Sequence, residues 1–175
     1  MYMQMKPQDI LVCLALSLPD RRGLTYAALA AELNMSPSDV HAASKRNAAA
    51  GLVDPESRRP LVGPVMEFLV HGMRYVFPVV RGESTRGLPT AHAAPVMAGA
   101  FVGDSEPPPV WPYAGEGAVR GITFEPLCDK IPAAAAKDQR LYALLALADA
   151  LRGGRARERR HAEAELNRLL KEYLQ

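Results

Sequence analysis

The chain has 175 residues, 49% of them hydrophobic and 23% charged, and a formal net charge of +2. That length supports a core without disulfide staples, and charge so nearly balanced excludes a uniformly basic coat for a polyanion. Two distant cysteines, Cys13 and Cys128, with no CxxC partner, exclude a disulfide scaffold and fit a reduced compartment.

The first predicted element is a helix that starts at Pro7, a residue suited to a first helical turn, and ends near Pro19. Its apolar residues fall at 10, 11, 14 and 18. The run "ILVCLALSL" imitates the centre of a signal peptide. Asp9 precedes it, "PDRRG" follows it, no small-x-small cleavage site appears, and nine residues cannot span a bilayer. A buried helix in a cytoplasmic, nucleoid-associated protein is the expectation, with no membrane contact.

Thr25 is placed to cap a second helix, Tyr26 to Leu33, and Asn34 tolerates the left-handed turn after it. Ser36 then caps a third helix, residues 37–50, with Pro37 at its first position and Asp39 at its positive end. Gly51 supplies the stop. Residues 6–53, about a quarter of the chain, resemble the winged helix-turn-helix of bacterial transcriptional regulators, MarR-like in the broad sense, and the match runs through "YAALAAELNMSPSDVHAASKRNAAAGLV". Ala30 is the small residue at the helix crossing, Leu33 and Val40 are the apolar contacts, and "SPSDV" opens the recognition helix. The turn carries Asn34 where that family usually has Gly, and residues 52–61 offer only a stub of wing.

The resemblance implies a DNA-binding transcriptional regulator with helix 37–50 in the major groove of double-stranded DNA. Val40, Ala43 and Asn47 are expected to face the bundle. Ser36, Ser38, His41, Ala42 and Lys45 are expected to face outward, with Arg46 at the edge. Serines can meet phosphates or bases, Ala42 a thymine methyl, and Lys45 and Arg46 phosphates or guanine. Arg58 and Arg59 on the stub could reach the backbone or minor groove. The alternative is a winged-helix protein-interaction module, such as an antitoxin or assembly factor.

A fourth helix is expected from Pro64, with Val65, Phe68 and Leu69 inward and Gly72 at its end, where His71 would cap. "MRYVFPVV" then reads as a strand. Residues 78–132 hold nine of the fifteen prolines and seven of the thirteen glycines. They read as irregular but packed, polyproline-like over 103–112, with a short strand around Ile122 to Phe124. The loop 81–95 carries Arg81, Arg86 and His92, which could cradle an anion, a small effector or a partner; the favoured reading is an ordered loop that ties two lobes together. Two amphipathic helices follow. One has Leu141, Leu144, Leu145, Ala148 and Leu151 on its stripe; the other has Ala162, Leu166, Leu169, Leu170 and Tyr173.

The expected class is therefore mainly α. A winged helix-turn-helix occupies 1–78, a Pro/Gly-rich packed region with a few short strands 79–135, and two C-terminal helices 136–175. The apolar stripes of the last pair suggest a homodimer. The run "RGGRARERR" places arginines near a helix N-terminus, against its dipole. No cofactor, metal site or catalytic constellation is indicated: the four histidines lack HxxxH or HxxE spacing, and there is no phosphate loop or GxSxG.

Overall fold

The computed structural model describes residues 3–101 and 106–175. Three helices open the chain: α1 (Pro7–Leu16), α2 (Tyr26–Leu33) and α3 (Pro37–Ala49), with a 3-10 turn at Pro19–Arg21. Their starts match the expected ones, because each is chemically marked, while α1 ends at Leu16, three residues before the expected Pro19. Thr25 Oγ1 accepts from Ala28 N at 3.1 Å, and Ser36 Oγ accepts from Asp39 N at 3.1 Å. Asn34 takes φ 52°, which ends α2 and turns the chain into α3. Residues 9–16 of α1 are all buried, so this helix is a central rod rather than a surface element.

After α3, residues 52–61 form a short hairpin held by a single bridge between Val53 and Pro60. Asp54 Oδ1 accepts from Glu56 N, Ser57 N and Ser57 Oγ, closing its tip. A helical run follows as α4 (Val62–Glu67), a π turn (Phe68–Gly72) and α5 (Met73–Val76). Here the sequence reading is corrected: the helix passes Gly72, and 73–76 is helix instead of strand. Val65, Leu69 and Met73 are buried at a spacing of four. In a pure α-helix each such step drifts by about 40°. One wide turn removes part of that drift, keeps the three in line and carries the helix onward. Tyr75, on the run expected as a strand, is on this helix and 75% exposed.

A three-stranded sheet comes next, so the fold is mixed α/β where a mainly α one was expected. Strand β1 (Arg81–Pro89) pairs antiparallel with β2 (Pro109–Pro112) and with β3 (Val119–Phe124), and β2 pairs parallel with β3. The three close on one another. Most of the expected loop 81–95 is thus strand β1. Its first residues are exposed without alternation, which is why no strand signal reaches the sequence. Closure needs glycine at two places: a Cβ at Gly87 would lie 1.9 Å from the Trp111 carbonyl oxygen, and one at Gly121 would lie 2.2 Å from that of Pro108. The strand expected around Ile122–Phe124 is present within β3. Residues 103–105 of the polyproline-like stretch lie outside the described residues.

The C-terminal part holds α6 (Ile131–Lys137), α7 (Gln139–Gly153) and α8 (Ala156–Tyr173). The alanine-rich α6 carries no periodic signal and was not expected. Helix α7 is buried on almost every side and packs against α1, α6, α8 and the π turn. The apolar stripe of α8 is also buried within the chain, so the faces that suggested a dimer are covered intramolecularly. Buried residues from Ile10 to Leu170 form one continuous cluster.

Within that apolar interior sits a polar knot. Asp149 is 2% exposed and accepts from Thr90 Oγ1 at 2.9 Å and Trp111 Nε1 at 2.6 Å. Arg152 lies 3.2 Å from its other oxygen, donates to Glu125 O at 2.6 Å, and stacks over Phe124. Burial holds the Asp149 carboxyl above the usual range, against the pull of Arg152, Trp111 and Thr90. This knot pins the sheet to α7. A second, more exposed ionic chain ties the N-terminal helices to α7. Arg21 meets Glu32 and Asp138, and Arg140 meets Asp138 at 2.8 Å and Asp20 at 2.9 Å.

Candidate functional site

Helix α3 buries Val40, Ala43, Ser44 and Asn47. Its exposed side carries Ser38, His41 and Lys45, with Ala42 and Arg46 half-buried. The serines at its start are engaged with each other and with the cap. Ser36 Oγ donates to Asp39 Oδ2 at 2.7 Å and lies 3.0 Å from Ser38 Oγ. His41 packs edge-on against Tyr26, ring centroids 4.9 Å apart.

The two cations at the end of this face have different fates. Arg46 turns back toward α1, where Nε and Nη2 donate to the two oxygens of Asp9 at 2.8 and 2.6 Å. Asp9 is completely buried, and Asn47 Nδ2 donates to its backbone carbonyl at 2.9 Å. The pair raises the Arg46 pKa further and locks α3 onto α1. Arg46 is therefore a brace, not a free contact. Lys45 is exposed and, among the described residues, its ammonium has no hydrogen bond or ion pair.

The hairpin places Arg58 and Arg59 differently as well. Arg58 has φ 57° and Nη2 donates to Leu24 O at 2.7 Å, while its guanidinium lies 4.9 Å over the Tyr26 ring. Arg59 is half-buried, and among the described residues its guanidinium is unpaired. Between α3 and the hairpin lies a concavity of about 510 Å³, whose lining includes Tyr26, His41, Lys45, Asp54, Pro55 and Arg58. Backbone and hydroxyl donors from Ser57 hold Asp54 below the usual carboxylate range, so the concavity carries both signs of charge.

The proposed effector residues only partly converge. Arg81 and His92 line a second concavity of about 490 Å³ with Glu106, Arg155 and Glu158. Arg86 is at the other end of β1, opposite Arg120, and donates to Ala118 O. His92 Nδ1 is 3.6 Å from Glu158 Oε1, too long for a hydrogen bond. Glu158 Oε2 caps α8 by accepting from Arg155 N at 2.8 Å. Arg81 donates to Gly153 O and stacks over Phe124. Among the described residues no serine, threonine or cysteine lines the space, and burial pushes the Cys13 thiol up to about 12, which leaves it inert as a nucleophile. Among the described residues no three metal-ligating side chains gather, and no described helix is long and apolar enough to cross a membrane.

Sequence reasoning missed Tyr26, which organises both His41 and Arg58. It also missed Asp9 as the partner of Arg46. The only signal for Asp9 was a carboxylate at the head of an all-apolar helix. Comparison with family models, curated proteins and solved structures finds no match for this chain.

Proposed function

We propose that this protein binds double-stranded DNA through α3, as a transcriptional regulator with a helix-turn-helix and a rudimentary wing. The observation that carries the reading is the exposed Ser38–His41–Lys45 face of α3. It stands beside the hairpin and is backed by α2 through the Asn34 turn. A helix held this way can enter a major groove about 12 Å wide. Arg59 adds a second unpaired cation at the hairpin. The contact set is smaller than the basic pairs suggest, since Arg46 and Arg58 are engaged inside the protein. Phosphate contacts and DNA shape then carry most of the recognition. A second copy on a repeated operator docks through a surface other than the stripes of α7 and α8.

Mobility shift on the protein's own promoter region, over about 50–200 mM salt, tests the reading. Lys45→Ala and Arg59→Ala each lower affinity and reduce the salt slope by about 0.9 per lost phosphate contact. An unchanged slope in both variants sinks it. The mixed-charge concavity beside Asp54 favours a second reading, a winged-helix module that docks a protein segment. Stoichiometric co-purification of a protein without nucleic acid would select that one.

A further inference from the structure

The arginine run at the head of α8 divides into three groups. Arg152 belongs to the buried knot with Asp149. Arg155 meets Glu106, and Arg157 lies over Phe101, so these two are engaged with those residues. Arg159 and Arg160 point elsewhere. They line a concavity of about 350 Å³ together with His71, Arg74, Tyr75 and Glu163. Among the described residues the Arg159 and Arg160 guanidinium groups make no hydrogen bond or ion pair. Arg74 stacks on Tyr75 at 5.3 Å. Three guanidinium groups against one carboxylate leave an excess of positive charge, and the N-terminal end of α8 adds to it. An unligated arrangement of this kind repels itself; an anion relieves it.

The π turn sits at the same place. It keeps the chain helical past Gly72, carrying Arg74 and Tyr75 on helix rather than strand, and such turns recur at binding sites.

We propose that this concavity binds a phosphate monoester bearing a planar ring. Arg74, Arg159 and Arg160 seat the phosphate, for which planar two-pronged donors are well shaped. His71 supplies a further ring N–H. Tyr75, three-quarters exposed at the rim, offers its ring to the organic part. The site uses none of the α3 residues and stands whether or not the chain binds DNA.

Calorimetric titration of the full chain with inorganic phosphate and, separately, adenosine monophosphate tests it. Both bind saturably at one site, the nucleotide more tightly. Arg159→Gln combined with Arg160→Gln weakens both at least tenfold, about 1.4 kcal/mol. Tyr75→Ala weakens the nucleotide alone, and Lys171→Gln, an exposed cation elsewhere on α8, changes neither. Unaltered binding in the double variant, or no saturable binding of either probe, overturns the proposal. Binding of a short DNA duplex that depends on Arg159 and Arg160, with neither small probe binding, overturns it too, because the patch would then belong to a polymer backbone.

Discussion

Arg46 on α3 and Arg159 on α8 begin from similar positions. Each is half-buried on a helix, and each adjoins a second cation, Lys45 or Arg160. The first is closed off by a fully buried carboxylate from another helix, 37 residues away in sequence. The second shares its concavity with two more arginines, a histidine and a single carboxylate, Glu163, with which it makes no ion pair. A basic pair therefore announces nothing by itself. What faces it from the neighbouring element decides whether it braces the fold or stays open to an anion.

The largest break in this contrast comes from truncating the two arginines. Arg46→Ala strands the Asp9 carboxylate in the interior and costs about 3–5 kcal/mol, read as a lowered denaturant midpoint. Arg159→Ala does not lower the midpoint, since among the described residues no protein group pairs with it. Equal losses in both would erase the distinction.

The next largest effect tests the polar knot at the sheet. Trp111→Phe removes one donor to buried Asp149 and trims a fully buried ring, for a cost of about 1–3 kcal/mol from the lost donor, with a cavity cost added, in chemical denaturation. A neutral outcome would mean that Arg152 and Thr90 suffice to hold Asp149.

The two regions should also answer acid in opposite senses. Arg140 holds Asp20 below the usual carboxylate range and, with Arg21, also overcomes the effect of burial on Asp138. Carboxylates with lowered pKa values stabilise the fold above their unfolded value of about 3.9. That contribution is lost as the pH falls through the native value. Arg140→Gln should therefore flatten the acid side of the stability profile. Asp149 is raised by burial, so the stability it lends is present below its unfolded pKa and is lost as the pH rises through the native one. Asp149→Asn should remove that part of the slope and leave the Arg140-dependent part intact.

The smallest effect concerns Lys45. Lys45→Ala should leave thermal melting unchanged while weakening retention on DNA, and a matched fall in both would make it structural.

Legibility followed the reach of the signal. The caps Thr25 and Ser36, the Asn34 turn and the stripes of α7 and α8 are marked by neighbours within a turn, and the sequence displays them. The outward positions of Ser38, His41 and Lys45 followed from helical spacing. Strand β1 was hidden because its exposed half has no alternation and its buried half owes its place to Gly87 and Trp111. The π turn was hidden because only the tertiary line of Val65, Leu69 and Met73 calls for it. The Arg46–Asp9 pair was invisible for the same reason: its partner comes from a different helix.

Closure of the three-stranded ring has one more consequence. An open sheet of this size would offer two outer strands to any extended peptide. Here each strand pairs with both others over part of its length, so no strand runs free along a whole side. Recruitment by strand addition, and the fibrous self-association that follows the same geometry, are thereby denied an obvious template. Assembly of this protein falls to its helices, its hairpin and its side chains.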